Sequence, residues 1–182
     1  MSDEHGGAPP LEQIAFDAQT IARRVREIAG EIEDDYRGRV PLLVGVLKSS
    51  AIFLADLARA VRIAVELDVL AISSYTREHE RGGGIRIETD TSLPLEGRHV
   101  IVVEDVVDTG LTLQYVLRTL GARLPASLAV CSLLDRPHRR IVDVPLRYRG
   151  FEIGDEFVVG YGMDYRESYR HLRDLHRLSL PR

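Results

Sequence analysis

The stretch Val100-Ile-Val-Val-Glu104-Asp105-Val-Val-Asp108-Thr109-Gly110-Leu-Thr112-Leu113 decides the reading of this chain. Four β-branched apolar residues, Val100 to Val103, predict a buried strand. Two adjacent carboxylates close it, and a third follows three residues later. In open α/β sheets ligands bind beyond the carboxyl ends of the strands, so these acids stand where a ligand would. Asp108-Thr109-Gly110-Leu111-Thr112 then reads as a tight turn into a helix. Such a turn offers free backbone N–H groups, two hydroxyls and the positive end of a helix dipole, an anion site suited to phosphate. Gly110 lets the backbone approach closely.

Three carboxylates repel a phosphate unless something separates or bridges them. A sugar does both: Glu104 and Asp105 can accept hydrogen bonds from vicinal hydroxyls while the phosphate rests on the turn. A Mg²⁺ ion also reconciles the charges. Capping the helix would need one acid, not three.

Outward from this segment the pattern alternates. Ile21, Val25, Ile28 and Ile32 recur at helical spacing between Asp17 and Arg37. Pro41 to Leu47 is a short apolar run, read as a strand, and Ser49-Ser50 offers a cap for a helix through Val61. Val65 to Ser73 reads as a strand, and Ile85 and Ile87 as its return partner. Between them, Thr76 to Gly84 is charged and ends in three glycines; it is either a plain surface turn or a lid over a site. Leu111 to Leu120 predicts a helix ended by Gly121, and Ser127 to Leu134 the next strand. Short strands follow around 148–153 and 157–159. Leu172, Leu175 and Leu178 suggest a last amphipathic helical turn or two, packed on a neighbouring subunit or on the rest of the fold. Strand–helix–strand repetition implies an α/β fold, with a mostly parallel central sheet flanked by helices.

Length and composition bound the alternatives. The 182 residues suit one domain, read as a disordered tail over 1–10 and a single domain over 11–182. No run of about 18 apolar residues occurs, which excludes a spanning helix and predicts no membrane partner. The acidic, Gly/Pro-rich start lacks the pattern of a secretion signal, and the single cysteine, Cys131, excludes an internal disulfide; both point to a cytoplasmic protein. A net charge of −4 argues against a nucleic-acid partner, although Arg139-Arg140 with Arg147 and Arg149 forms a basic cluster. Of the 24 basic residues only Lys48 is a lysine, which singles it out.

Glu104-Asp105-Val-Val-Asp108-Thr109-Gly110 resembles the 5-phosphoribosyl-1-pyrophosphate motif of type I phosphoribosyltransferases. Further segments resemble the hypoxanthine-guanine branch: Leu47-Lys48-Ser49-Ser50 its pyrophosphate loop, Ser73-Ser74-Tyr75 the start of its lid, and Gly150-Phe-Glu-Ile with Phe157 to Tyr165 its purine pocket and hood. Tyr169-Arg170 continues the match, which spans roughly Leu11 to Leu172. The resemblance implies the type I phosphoribosyltransferase fold, with a small hood from the N-terminal segment and about 150–182. It implies purine salvage, with 5-phosphoribosyl-1-pyrophosphate, hypoxanthine and guanine as small-molecule partners, Mg²⁺ as cofactor, and a homodimer or homotetramer.

The resemblance also implies roles. Asp108 is the proton-transfer group; Glu104 and Asp105 hold the ribose hydroxyls; Thr109, Gly110 and Thr112 hold the 5′-phosphate. Lys48, Ser49 and Arg170 face the pyrophosphate, with a cis peptide between Leu47 and Lys48. Ser74 and Tyr75 open the lid. Arg136, Phe157 and Val158 form the purine pocket, and Glu104, Asp105 and Asp164 are the metal ligands. Two positions depart from the family pattern: Ser49 stands where glycine is usual, and Arg136 where a lysine donates to the purine 6-oxo group. The same residues are also compatible with a xanthine–guanine or pyrimidine enzyme, a nucleotide- and RNA-binding regulator of the same fold, or a non-catalytic paralogue.

Overall fold

The computed structural model describes residues 9–75 and 84–179. The chain runs β1 (Leu11–Phe16), α1 (Ala18–Asp35), β2 (Leu42–Leu47), α2 (Ala51–Ala60), β3 (Glu66–Tyr75), β4 (Gly84–Thr89), β5 (His99–Val107), α3 (Leu111–Gly121), β6 (Ser127–Asp135), a 3-10 turn (Pro137–Arg139), β7 (Leu146–Glu152), β8 (Phe157–Val159) and β9 (Leu175–Leu178). Six strands form the main sheet in the order β4-β3-β2-β5-β6-β7. All its pairings are parallel except the β3–β4 hairpin.

Alternation along β5 explains the layers. Ile101 and Val103 face one side and pack with α1 and α2; Val100 and Val102 face the other and pack with α3. All four are fully buried, so this strand reads as a continuous apolar run rather than as an alternating one. Helix α1 forms because Ile21, Val25, Ile28, Ala29 and Ile32 lie on one stripe, and Asp17 caps it by accepting from the Thr20 amide at 2.7 Å. Successive strands leave β2 toward β3 on one side and β5 toward β7 on the other. That reversal opens a crevice beyond the carboxyl ends of β2 and β5, the switch point where such sheets bind ligands.

A second sheet, β1-β9-β8, is antiparallel and joins the two ends of the described chain. It corrects two readings of the sequence. Leu11–Phe16 is a strand where none was expected, and Leu175–Leu178 is a strand, not a helical turn. The three-residue leucine spacing fits a helix locally, but hydrogen-bonded pairing with both β1 and β8 outweighs it. Ser50 occupies the N-cap of α2, as the sequence suggested, but its hydroxyl donates back to the Val46 carbonyl at 2.7 Å instead of accepting from a helix amide. Gly121 is the last helical residue of α3 rather than its terminator, and Ala122 forms the cap.

Ile101 is packed from both neighbouring strands and from above. Ile101→Ala is expected to destabilise the fold by about 2–5 kcal/mol, read as a lower urea midpoint with an unchanged slope.

Candidate active site

The crevice at the switch point is a cavity of about 240 Å³, walled by Glu104 to Gly110, Thr112 and Ser49. Strand β5 carries Glu104 and Asp105 to its floor. Glu104 is 7% exposed. Burial, and then the neighbouring charge of Asp105, push the Glu104 carboxyl well above the usual carboxylate range. Burial likewise raises Asp105 to about 6. Two acids are thus held together where neither is comfortably ionised, so the floor calls for hydroxyl donors or a cation.

Beyond the strand the chain turns sharply. Gly110 has φ +84°, and a Cβ there would stand 2.8 Å from the Val142 carbonyl oxygen. Only glycine meets both conditions without strain. Helix α3 starts at the next residue, with the Gln114 amide donating to Gly110 O at 2.8 Å. The first amides of any helix lack intrahelical acceptors; the Leu111 amide donates weakly to the Thr109 hydroxyl at 3.4 Å, and Thr109, Gly110 and Thr112 line the cavity.

Asp108 stands at the head of the turn, about one third exposed, between two guanidinium groups. Arg139 Nε lies 3.0 Å from its Oδ1, off the hydrogen-bond direction, and Arg136 Nη1 lies 3.6 Å from its Oδ2. Arg136 also donates to Glu156 O at 2.6 Å, which ties Asp108 to the start of β8, where Phe157 and Val158 follow. Its Nε is buried and has no acceptor among the described residues. Phe157 meets the Tyr165 ring edge-on at 6.0 Å between centroids.

The pyrophosphate-type residues also come together. The Leu47–Lys48 peptide is cis. Arg170 Nη1 donates to the Ser49 hydroxyl and to Gly162 O, both at 2.8 Å. Ser49, the departure from the family glycine, thus anchors the arginine through its side chain. Glu167, which the sequence did not single out, takes Lys48 Nζ at 3.2 Å and Arg170 Nε at 3.4 Å. These two cations hold its carboxyl below the usual range, Arg170 contributing most.

Asp164, which the resemblance makes a metal ligand, meets two groups of its own segment. Its Oδ1 pairs with Arg170 at 2.8 Å and its Oδ2 accepts from the Glu167 amide at 2.8 Å. Among the described residues no cluster of three acids or histidines has metal-ligating geometry. Glu104 and Asp105 remain together as a fit for a divalent cation, two adjacent carboxyl groups whose ionisation burial opposes and a bound cation would favour. The side chains of Ser74 and Tyr75, and residues 76–83 of the segment read as a surface turn or a lid over Thr76 to Gly84, lie outside the described residues; Ser74 and Tyr75 themselves pair through the backbone with Ile85 and Gly84.

Each arginine of the basic cluster near 139–149 has an acidic partner within the chain, and only Arg140 is mostly buried. Arg139 faces Asp108, Arg140 and Arg149 face Asp135, and Arg147 holds Asp35 at 2.8 Å. Their basic character was visible in the sequence; their acidic partners, as far as 112 residues away, were not.

A strand-end acid pair, a phosphate-type turn and a cationic loop converging at a switch point define a phosphoribosyltransferase. The family model described as the phosphoribosyl transferase domain matches residues 13–166. The chain belongs to the hypoxanthine-guanine phosphoribosyltransferase family. It is 44% identical over 168 residues to the hypoxanthine-guanine phosphoribosyltransferase of Mycobacterium avium, covering 89% of this chain and 83% of that one. It is 45% identical over 162 residues to the hypoxanthine phosphoribosyltransferase of Salmonella typhimurium, covering 88% and 91%. A crystal structure of a hypoxanthine-guanine phosphoribosyltransferase from Bacillus anthracis, with HEPES in the active site, superposes with a TM-score of 0.89 at 37% identity, covering 93% of this chain and all of that one.

Two outcomes test this geometry. Gly110→Ala forces a non-glycine residue into left-handed backbone against a carbonyl; at a cost of about 2 kcal/mol, the melting temperature is expected to fall by roughly 4–8 °C. The raised carboxyls of Glu104 and Asp105 favour the protonated folded state. For Asp105 this contribution to stability is fully present below about pH 4 and is lost as pH rises through about 6. Asp105→Asn is expected to raise the melting temperature of the ligand-free protein at pH 8, with no gain at pH 4.

Proposed function

We propose that this chain transfers the 5-phosphoribosyl group of 5-phosphoribosyl-1-pyrophosphate to N9 of hypoxanthine, and also of guanine, with Mg²⁺. The products are IMP or GMP and pyrophosphate. The observation that carries the reading is the glycine-dependent Asp108–Gly110 turn opening beside the buried Glu104–Asp105 pair in one cavity. A phosphate on the turn and a ribose on the acids account for both features at once.

The residues divide the work. Thr109, Gly110 and Thr112 bind the 5′-phosphate through amides and hydroxyls. Glu104 and Asp105 accept from the ribose hydroxyls, and their negative charge favours the cationic ribosyl group of the transition state. The bond from the anomeric carbon to pyrophosphate breaks as N9 attacks, and the proton that the purine sheds is taken up by Asp108 from the N7 side. Lys48, Ser49 and Arg170 receive the leaving pyrophosphate, for which Arg170 offers paired donors. Glu104 and Asp105 are also the residues that would hold Mg²⁺, which neutralises diphosphate charge when bound. Phe157 stacks on the purine, the Val158 backbone reads its edge, and the acceptor-less Nε of Arg136 supports a contact to the purine 6-oxo group. Arg and Lys are not equivalent at such a contact, but both donate to a carbonyl oxygen.

The test is nucleotide formation from 5-phosphoribosyl-1-pyrophosphate and Mg²⁺ with hypoxanthine, guanine, xanthine, adenine and uracil in parallel. Hypoxanthine and guanine are expected to react, and Asp108→Asn to lower kcat by about 10²–10⁴. Turnover of adenine or uracil in preference to both would overturn the purine reading. No turnover of any base, with the donor still bound, would overturn the enzymatic one.

A further inference from the structure

We propose that Arg140, seated on the buried carboxylate of Asp135, is a positioning residue that holds the Asp108–Gly110 turn in its phosphate-binding shape. The inference rests on the activity proposed above and gives that site a support outside its lining.

Asp135 ends β6 and is 0% exposed. A carboxylate taken so fully from water needs partners. Arg140 Nη2 hydrogen-bonds to its Oδ1, while Arg149 Nε stands 2.8 Å from its Oδ2, off the hydrogen-bond direction. The two arginines differ in reach. Arg149 is half exposed, and its Nη1 stands 3.7 Å from Glu152 Oε2. Arg140 is mostly buried, and its Nη1 donates to the backbone carbonyl of Asp108 at 2.6 Å.

Strand β5 ends at Val107, so Asp108 is the first residue beyond the parallel ladder. One rigid guanidinium fork therefore ties the end of β6 to the start of the turn. The chain after Arg140 completes the clamp: the Ile141 amide donates to Thr109 O at 2.9 Å, and the Val142 carbonyl occupies the space beside Gly110. Arg140 does not line the cavity, so it acts through the backbone that carries the reacting carboxylate and the phosphate amides. A misplacement of about 1 Å in such groups can cost on the order of 10²-fold in rate.

Arg140→Gln, Arg140→Lys and Arg149→Gln separate positioning from simple charge compensation of Asp135. Arg140→Gln is expected to lower kcat/KM for 5-phosphoribosyl-1-pyrophosphate by about 10–100-fold and to leave KM for hypoxanthine within about twofold. It is also expected to speed amide hydrogen exchange across Asp108–Leu113. Arg140→Lys recovers only part of the loss, because one ammonium does not reproduce the fork. Arg149→Gln lowers the melting temperature without either change. Equal kinetic losses in Arg149→Gln and Arg140→Gln, or unchanged exchange across Asp108–Leu113 in Arg140→Gln, would overturn the proposal. A wild-type protein that converts no purine would count against the activity reading, and hydrogen exchange would still decide the role of Arg140.

Discussion

Glu104 and Asp105 sit side by side in a poorly solvated floor, where burial opposes the ionisation of both and the charge of Asp105 opposes that of Glu104 further. Nothing local compels a chain to keep them there. They stay because β5 is hydrogen-bonded to β2 on one side and β6 on the other, and its four valine and isoleucine side chains are buried on both faces. The apolar burial of one segment thus supports the electrostatic tension of the next. The same tension makes the floor receptive to a ribose or a divalent ion, whose binding relieves it.

Charge of the opposite sign is distributed around that floor with little left over. Arg136 and Arg139 stand on Asp108, Arg140 and Arg149 on Asp135, and Arg170 on Asp164 and Glu167. The segment from Arg136 to Arg149 follows β6 and returns as β7, so it brings its arginines to the ends of both strands that carry acids. The buried contact of Asp135 differs in kind from the exposed pair of Lys48 with Glu167, which solvent and salt screen. The first suits a fixed part of the architecture, and the second a contact that an incoming anion can displace.

The small sheet completes the site from the far ends of the chain. Strand β9 lies between β1 and β8. The Ala18 amide donates to Asp174 at 2.6 Å, and the Tyr169 hydroxyl donates to Pro9 O at 2.5 Å. In the segment between β8 and β9, Arg170 reaches Ser49 on the wall of the crevice formed by β2 and β5.

Much was legible in the sequence. The 3.6-residue stripe of α1, the uninterrupted apolar run of β5 and the acids that end it are local patterns with local causes. They predicted a parallel sheet with helices on both faces and a phosphate-type turn at Asp108–Gly110. Lys48 stood out as the sole lysine, and Arg170 through its resemblance to the family pattern. The tertiary structure alone decided the rest. Leucines spaced by three became strand β9, because pairing with β1 and β8 satisfies more backbone than a short helical turn. The Arg139-Arg140 pair, a basic patch in one dimension, became internal clamps on Asp108 and Asp135. A side chain's charge is written in the sequence; which buried charge answers it depends on residues that only folding brings together.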